Sequence, residues 1–194
     1  IALNGDDQNL GPFPLPFAFN FYGNAFNSFN ICSNGFVSFT STSASFTNTT
    51  LPNAGAPFNM LAAFWDDQDF RTSGQAFYHF DGSKLVIEFV NVAHFSSGGP
   101  YTYEIILYPN GNIDYQYLSM QGTRTNEATI GIQNGSGTDG LQVVFNAAYV
   151  HDNLRVRFAT TPPWLTLGST GGTTPAGGSA TVEVHFDASG LGDG

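Results

Sequence analysis

Apolar side chains occupy every second position of residues 13–21, which read Phe-Pro-Leu-Pro-Phe-Ala-Phe-Asn-Phe. Successive side chains of a β-strand point to opposite faces, so this spacing predicts a strand with one continuous apolar face. Pro12, Pro14 and Pro16 fall on the other parity, and proline cannot donate a hydrogen bond to a neighbouring strand. The segment is therefore expected to be an edge strand or an extended entry segment.

The same period of two recurs along the chain, with turn-forming residues between the runs. Apolar residues alternate in residues 85–89, 113–117, 154–158 and 182–186. Asp81-Gly82 and Asn110-Gly111 are hairpin signals, because these residue types tolerate a positive φ. No stretch has the period of an amphipathic helix. We therefore expect an all-β fold, an antiparallel two-sheet β-sandwich of about a dozen short strands.

The composition excludes several classes of protein. Lys and Arg total 5 against 15 Asp and Glu, too few cations for a nucleic-acid surface. Aromatic residues make up 15% of the chain, unlike a disordered segment, and no apolar run is long enough to span a membrane. Cys32 is the only cysteine of the sequence. The residues soon after Ile1 are mostly polar, so we expect no signal peptide in this sequence. Scarce lysine with abundant Asn, Ser, Thr and Gly favours an extracellular or cell-surface protein, whose leader is then expected to have been removed.

Several blocks in a fixed order carry a resemblance to a known family. They are Phe-Pro-Leu-Pro-Phe-Ala-Phe-Asn-Phe-Tyr-Gly at 13–23, Ser-Asn-Gly-Phe-Val-Ser-Phe at 33–39 and Ala-Phe-Trp-Asp-Asp at 63–67. Together they resemble the nidogen-like β-sandwich modules of large bacterial and archaeal secreted proteins. The resemblance covers roughly residues 6–158 and departs from the pattern at Gln68, where leucine is usual. It implies a module for presentation, adhesion or assembly outside the cell, with no shared catalytic site.

The last part of the chain differs from the rest. Pro162-Pro163 is a stiff connector, and we place a boundary there, with a nidogen-like domain over 1–160 and a smaller unit over 161–194. Alternation predicts a strand over 179–187. Trp-Leu-Thr-Leu at 164–167 and Pro-Ala-Gly-Gly-Ser-Ala-Thr-Val-Glu-Val at 175–184 resemble the opening half of a bacterial immunoglobulin-like repeat. This partial immunoglobulin-like unit has too little apolar surface to close a core by itself.

An unfinished unit suggests assembly through strand complementation. A strand of another chain can pair with an open sheet edge, and head-to-tail pairing gives an open filament. The partners are then other copies of the chain or neighbouring domains of a larger surface protein. The apolar positions predicted to take part are Phe13, Leu15, Phe17, Val182, Val184 and Phe186. We therefore expect a non-enzymatic structural or adhesive module.

The alternative function is carbohydrate binding in a secreted multidomain protein, because aromatic faces stack on sugars. The candidates are Tyr101, Tyr103, Tyr108, Tyr115 and Tyr117. Tyr103 and Tyr115 alternate in phase with apolar neighbours, which predicts core positions. Glycans are therefore an alternative partner of the chain.

Two acidic clusters are candidate calcium sites. Asp66, Asp67 and Asp69 form the denser one, and Asp6 with Asp7 forms the other. Ca²⁺ takes about six to eight oxygen ligands, for which clustered carboxylates are suited. The competing interpretation is that these aspartates accept backbone hydrogen bonds and cap turns.

The sequence also contains candidate residues for two further kinds of site, glycosylation and hydrolysis. Asn48 and Asn134 begin Asn-x-Ser/Thr triplets and are candidate glycosylation sites. Asp67 with Glu88 or Glu104 could be imagined as the acid and nucleophile of a glycoside hydrolase, but both glutamates are explained as outward strand residues of one polar face. No nucleophile elbow or histidine metal motif occurs, and Cys32 has no histidine near it in sequence, so we expect no catalysis.

Overall fold

A computed structural model describes residues 1–160, 165–168, 173–174 and 176–187. The described residues form fourteen β-strands and no helix, and every strand pair is antiparallel. The predicted all-β, antiparallel sandwich is confirmed. The strands are β1 (Asn9–Phe21), β2 (Asn24–Cys32), β3 (Phe36–Ser38), β4 (Met60–Trp65), β5 (Gln68–Asp69), β6 (Gln75–Phe80), β7 (Leu85–His94), β8 (Tyr101–Leu107), β9 (Ile113–Ser119), β10 (Thr129–Gln133), β11 (Gly140–Phe145), β12 (Leu154–Phe158), β13 (Leu165–Leu167) and β14 (Val184–Phe186).

Residues 1–158 make up one compact unit and residues 159–194 a second. In the first unit, one six-stranded sheet has the order β1-β2-β3-β4-β10-β11. The other has the order β12-β9-β8-β7-β5, and β6 pairs with β7 beside β5. The strand β1 lies at the edge of its sheet, where its prolines need no partner on the open side. The predicted hairpins at Asp81-Gly82 and Asn110-Gly111 join β6 to β7 and β8 to β9.

Burial in the core follows the alternation of the sequence. In β1, Leu15, Phe19 and Phe21 are buried while the prolines are exposed, and the same alternation buries Ile87 and Phe89 in β7. A single large apolar cluster joins these residues with side chains from both sheets. This burial is the main source of the stability of the first unit.

Buried tyrosine hydroxyls of β9 bond to backbone carbonyls of the opposite sheet. Tyr115 donates to the carbonyl of Gly131 at 3.0 Å, and Tyr117 donates to that of Ala63 at 2.6 Å. The register between β4 and β10 shifts between Thr129 and Gly131, at these same carbonyls. An irregular ladder leaves carbonyl groups in need of a donor, which the two hydroxyls supply.

The second unit contains the two-stranded sheet of β13 and β14. The strand predicted over 179–187 is shorter than expected, because only Val184–Phe186 forms a ladder and the whole segment is exposed. The predicted Pro162-Pro163 connector and Trp164 lie outside the described residues.

Candidate functional site

The turn between β2 and β3 ties three segments together at one end of the sandwich. Asn34 is fully buried, and its Nδ2 donates to Asp7 Oδ1 at 2.8 Å and to the carbonyl of Ala44 at 3.0 Å. Its Oδ1 accepts from the backbone N–H of Gln68 at 3.0 Å. Gly35 has a φ of +77°, and a Cβ there would collide with the carbonyl of Phe64. The Asn-Gly pair therefore holds the N-terminal aspartates against the segment that follows β4.

Three of the five predicted calcium ligands meet at this end. Each of Asp6, Asp7 and Asp67 offers a carboxylate oxygen, and these atoms lie within 4.8 Å of one another. Burial raises the pKa of Asp6, with further contributions from the charges of Asp69 and Asp7 that Arg71 opposes. Burial and the neighbouring carboxylates also raise the pKa of Asp67. A cation would relieve this repulsion, and calcium binding here stays a prediction.

The other two predicted ligands lie against different partners. Asp69 accepts two hydrogen bonds from the Arg71 guanidinium at 2.9 Å, which is the main reason that its pKa is lowered. Arg71 also pairs with Asp6 Oδ2 at 2.8 Å. The Asp66 side chain faces His94 instead. Arg71 thus joins Asp69 to the cluster of Asp6, Asp7 and Asp67, whereas Asp66 belongs to a different group.

Asp66 lies in a group that the sequence analysis missed. Its Oδ2 is 3.3 Å from Nε2 of His94, at the end of β7, and both side chains are more than nine-tenths buried. Glu127, in the loop between β9 and β10, brings a carboxylate oxygen within 4.8 Å of both. Burial by itself would lower the pKa of His94, but the carboxylate of Asp66 and the carbonyl of Phe95 outweigh it and raise the pKa. These residues are far apart in the chain, so no local motif could have revealed the group.

The fold and the geometry of this end can be compared with known proteins. A family model described as NIDO related matches residues 1–166. The chain belongs to the NIDO-related family. The resemblance to a nidogen-like module is thereby confirmed, and membership indicates an extracellular module. Searches of curated proteins and of solved structures each returned no match.

The family match does not test two further predictions. The resemblance of residues 161–194 to an immunoglobulin-like repeat stays a prediction, as does the bacterial or archaeal origin.

The described part of the chain contains no helix with the length and apolar character that a membrane crossing needs.

The carboxylates considered for glycoside hydrolysis are not brought together in this NIDO-related module. Glu88 and Glu104 lie directly opposite each other on β7 and β8. Asp67 lies beside Phe95, whose N–H donates to its carbonyl at 2.8 Å. Phe95 follows the last residue of β7 and lies seven positions after Glu88, roughly 20 Å of extended chain. Hydrolytic pairs need carboxyl groups about 5–10 Å apart, so this pairing is not formed.

Cys32 is fully buried, and burial raises the pKa of its thiol to about 12. A thiol with such a pKa is protonated at neutral pH and is a poor nucleophile. The interpretation of Cys32 as a small packed residue is confirmed.

Most of the tyrosines proposed for sugar stacking are core residues of the module. Tyr101, Tyr103, Tyr115 and Tyr117 are at most 1% exposed, as the phase of Tyr103 and Tyr115 predicted. Tyr108 is partly buried, its hydroxyl donates to Asp114 and Arg157 lies over its ring at 5.7 Å. These five rings therefore offer no open stacking platform.

The residues predicted for assembly divide into two groups. Phe13, Leu15 and Phe17 belong to β1, which pairs with β2 of its own sheet, and Leu15 is buried. A strand so placed is an edge strand, one of the two arrangements expected for this segment, and its part in assembly stays a prediction. Val182, Val184 and Phe186 are all exposed, as an assembly surface requires.

The two candidate glycosylation sites differ in their surroundings. The Nδ2 of Asn48, to which a glycan would be attached, donates to the carbonyl of Glu127, to Thr129 Oγ1 and to Asn146 Oδ1. Attachment would break these contacts. The side-chain hydrogen bonds of Asn134 with described residues are made by Oδ1, which accepts from Ser136 and Thr138. Of the two predictions, Asn134 therefore fits the fold better.

Proposed function

We propose that this chain is a structural or adhesive module outside the cell that assembles head to tail with other copies of itself. The observation that carries the proposal is the exposed apolar face of the β13–β14 sheet. Leu167, Val182 and Val184 are 46%, 54% and 43% exposed. Two strands cannot bury such a face between themselves, so a covering surface would stabilise the sheet.

The surface of a second copy that suits this face is the open edge of β6. Among described residues, β6 pairs with β7 along one side, and its Phe77, Tyr78 and Phe80 are about 40% exposed. A groove of about 400 Å³ runs beside it, lined by Pro14, Leu15, Pro16, Tyr78, His79, Phe80 and Leu85. The Ala76 carbonyl at the start of β6 accepts from the amino group of Ile1 at 2.8 Å. An incoming strand can bond to the backbone of β6 beyond this point and insert alternate apolar side chains into the groove.

The rings of β1 and β6 give this groove a fixed shape. The Phe13 ring lies 5.4 Å from that of Tyr78, and the Phe17 ring 6.0 Å from that of Phe80. A preformed apolar groove loses little entropy on binding. Contact between a tail and a groove joins two different surfaces, and such contacts extend into open filaments unless the rotation closes a ring.

The test uses one charged substitution on each surface. Val184→Asp blocks the tail, and Phe80→Asp blocks the groove; each variant alone is expected to stay monomeric by light scattering. A mixture of the two keeps one intact tail and one intact groove, so dimers are expected and nothing longer. His185→Asp places the same charge on the opposite face of β14 and serves as the control. A parent chain that stays monomeric, or a mixture without dimers, would contradict the proposal.

A specific observation also supports the alternative, carbohydrate binding. The outer face of the second sheet has a depression of about 400 Å³ whose polar lining includes Glu88, Thr102, Glu104, Gln116, Asn153 and Arg155. Such side chains can bond sugar hydroxyls. A glycan array whose signals disappear in Asn153→Ala, but persist in Asn110→Ala at a hairpin turn, would favour this function.

A further inference from the structure

The group of Asp66, His94 and Glu127 has unsatisfied atoms in its interior. Asp66 Oδ2 and His94 Nε2 are both buried, and neither has a hydrogen-bond partner among the described residues. The side chains are 9% and 3% exposed, respectively. Leaving a buried carboxylate oxygen and an imidazole nitrogen unsatisfied is costly, so such a pair calls for a ligand between them.

The distance between Asp66 Oδ2 and His94 Nε2 is longer than that of a charge-assisted hydrogen bond. A charge-assisted hydrogen bond between nitrogen and a carboxylate measures about 2.7–2.9 Å. The observed separation is 3.3 Å. Ligand atoms about 2.0–2.2 Å from a tetrahedral metal ion are about 3.3–3.6 Å from each other, so the separation fits an edge of such a tetrahedron.

The tautomer of His94 agrees with this geometry. Its Nδ1 lies 2.7 Å from the carbonyl of Phe95, which can only accept, and 3.1 Å from NH1 of Arg124, which can only donate. A hydrogen on Nδ1 satisfies the shorter of these two contacts. In the neutral ring the lone pair is then on Nε2, which faces Asp66. Histidines that bind metals usually donate their other ring N–H in this way, often to a backbone carbonyl.

We propose that Asp66, His94 and Glu127 form a binding site for a zinc-type divalent transition ion. One imidazole and two carboxylates suit Zn²⁺, whereas Ca²⁺ takes oxygen ligands only. Asp66 Oδ1 already accepts from the N–H of Asp67 at 2.9 Å, which orients Oδ2 toward the imidazole. The site is separate from the Asp6, Asp7 and Asp67 cluster and does not depend on the proposed assembly.

Arg124 is the cation that competes for this site. Its Nε lies 3.4 Å from Glu127 Oε2, and its NH1 lies 3.1 Å from His94 Nδ1. Binding of the ion requires Glu127 to turn from the guanidinium toward the other two ligands. Glu127 is 45% exposed and can make this movement without disturbing the core. Removal of the guanidinium should therefore strengthen metal binding.

The test measures Zn²⁺ binding to the full chain by calorimetry. Glu127→Gln removes a half-exposed ligand and is expected to weaken binding by at least the roughly ten- to hundredfold that losing a hydrogen-bond partner of a ligand costs. Glu88→Gln, a glutamate on another face, is the matched control and should bind as the parent does. Arg124→Gln should bind several times more tightly than the parent, an effect that a purely structural ion pair would not produce.

A second comparison uses histidines and a spectroscopic measurement. His94→Ala should lose the binding, while His79→Ala, at an exposed position of β6, should keep it. If His94→Ala does not fold, X-ray absorption at the zinc edge of the parent decides the point, with one imidazole nitrogen and carboxylate oxygens expected. Unchanged binding in Glu127→Gln, or a zinc shell without imidazole, would overturn the proposal.

Discussion

Gln68 is a polar residue in the core, at a position where the matching sequence block usually has leucine. Its Oε1 accepts from the Tyr103 hydroxyl at 2.9 Å, and its Nε2 donates to the carbonyl of Phe64 at 2.6 Å. All three groups are buried. The glutamine at position 68 therefore supplies the acceptor that the buried hydroxyl of Tyr103 needs.

We expect Gln68→Leu to destabilise the protein by about 2 kcal/mol, because it leaves the Tyr103 hydroxyl without a partner. Adding Tyr103→Phe should restore part of that loss, since removing both partners leaves fewer unsatisfied atoms. Denaturant unfolding of both variants measures this, with Gln75→Leu at an exposed position as the control. A double variant less stable than Gln68→Leu would contradict the interpretation.

Asp114 is a fully buried carboxylate held by two arginines. It accepts from Arg155 at 2.7 Å and from Arg157 at 2.7 and 3.0 Å, and Tyr108 donates to it as well. Burial by itself would raise the pKa of Asp114, but the hydrogen bonds from Arg157, Arg155 and Tyr108 outweigh it and lower the pKa to about 2.

The Asp114→Asn variant should lose about 2–3 kcal/mol at neutral pH, less than a fully buried ion pair would, because both arginines are about half exposed. A carboxylate with a lowered pKa contributes stability above its unfolded pKa of about 3.8 and loses it as the pH falls toward 2. The difference from the parent in thermal melting should thus shrink between pH 4 and pH 2. Asp139→Asn is the exposed control, and a difference independent of pH would contradict the assignment.

At the scale of the strands, Glu88 and Glu104 face each other across β7 and β8. Like charges in directly opposed positions destabilise a sheet. Burial raises the pKa of Glu104, and the charge of Glu88 raises it further, while Lys84 opposes both. Carboxyl groups with a perturbed pKa are common at positions that serve binding, as the alternative function would require.

We expect Glu104→Gln to stabilise the protein at pH 7 by about 0.5 kcal/mol, because it removes this repulsion. A carboxyl whose pKa is raised by folding stabilises the fold at low pH and loses that contribution as the pH rises through the folded-state pKa. The gain should therefore disappear near pH 4. Melting temperatures across this range measure it, with the exposed Glu183→Gln as control; a gain that persists at pH 4 would argue against the charge pair.

Strands with one buried face could be predicted from the sequence. The clusters of side chains that different strands bring together could not. Alternation in 13–21 and 85–89 identified β1 and β7, because burial of one face imposes a period of two. The same alternation at 182–186 gave only a three-residue strand, since nothing covers it among the described residues. Asp66 meets His94 through the pairing of Gln68 with His94 on β5 and β7, a long-range register that no local pattern encodes.

At the scale of the whole molecule, the low content of charged residues bears on self-association. Only 10% of residues are charged, and several of these lie in the buried arrangements around Asp66 and Asp114. Apolar side chains remain exposed on β6 and on β14. The net charge of −10 opposes self-association, so assembly depends on burial of the two exposed apolar edges.

Sedimentation velocity of the parent chain over a range of concentrations tests the central claim, head-to-tail assembly, most directly. We expect the sedimentation coefficient to rise steadily with concentration through a ladder of species, and Val184→Asp to stay at the monomer value throughout. A single monomer peak for the parent at every concentration, or a closed dimer unaffected by Val184→Asp, would contradict the account.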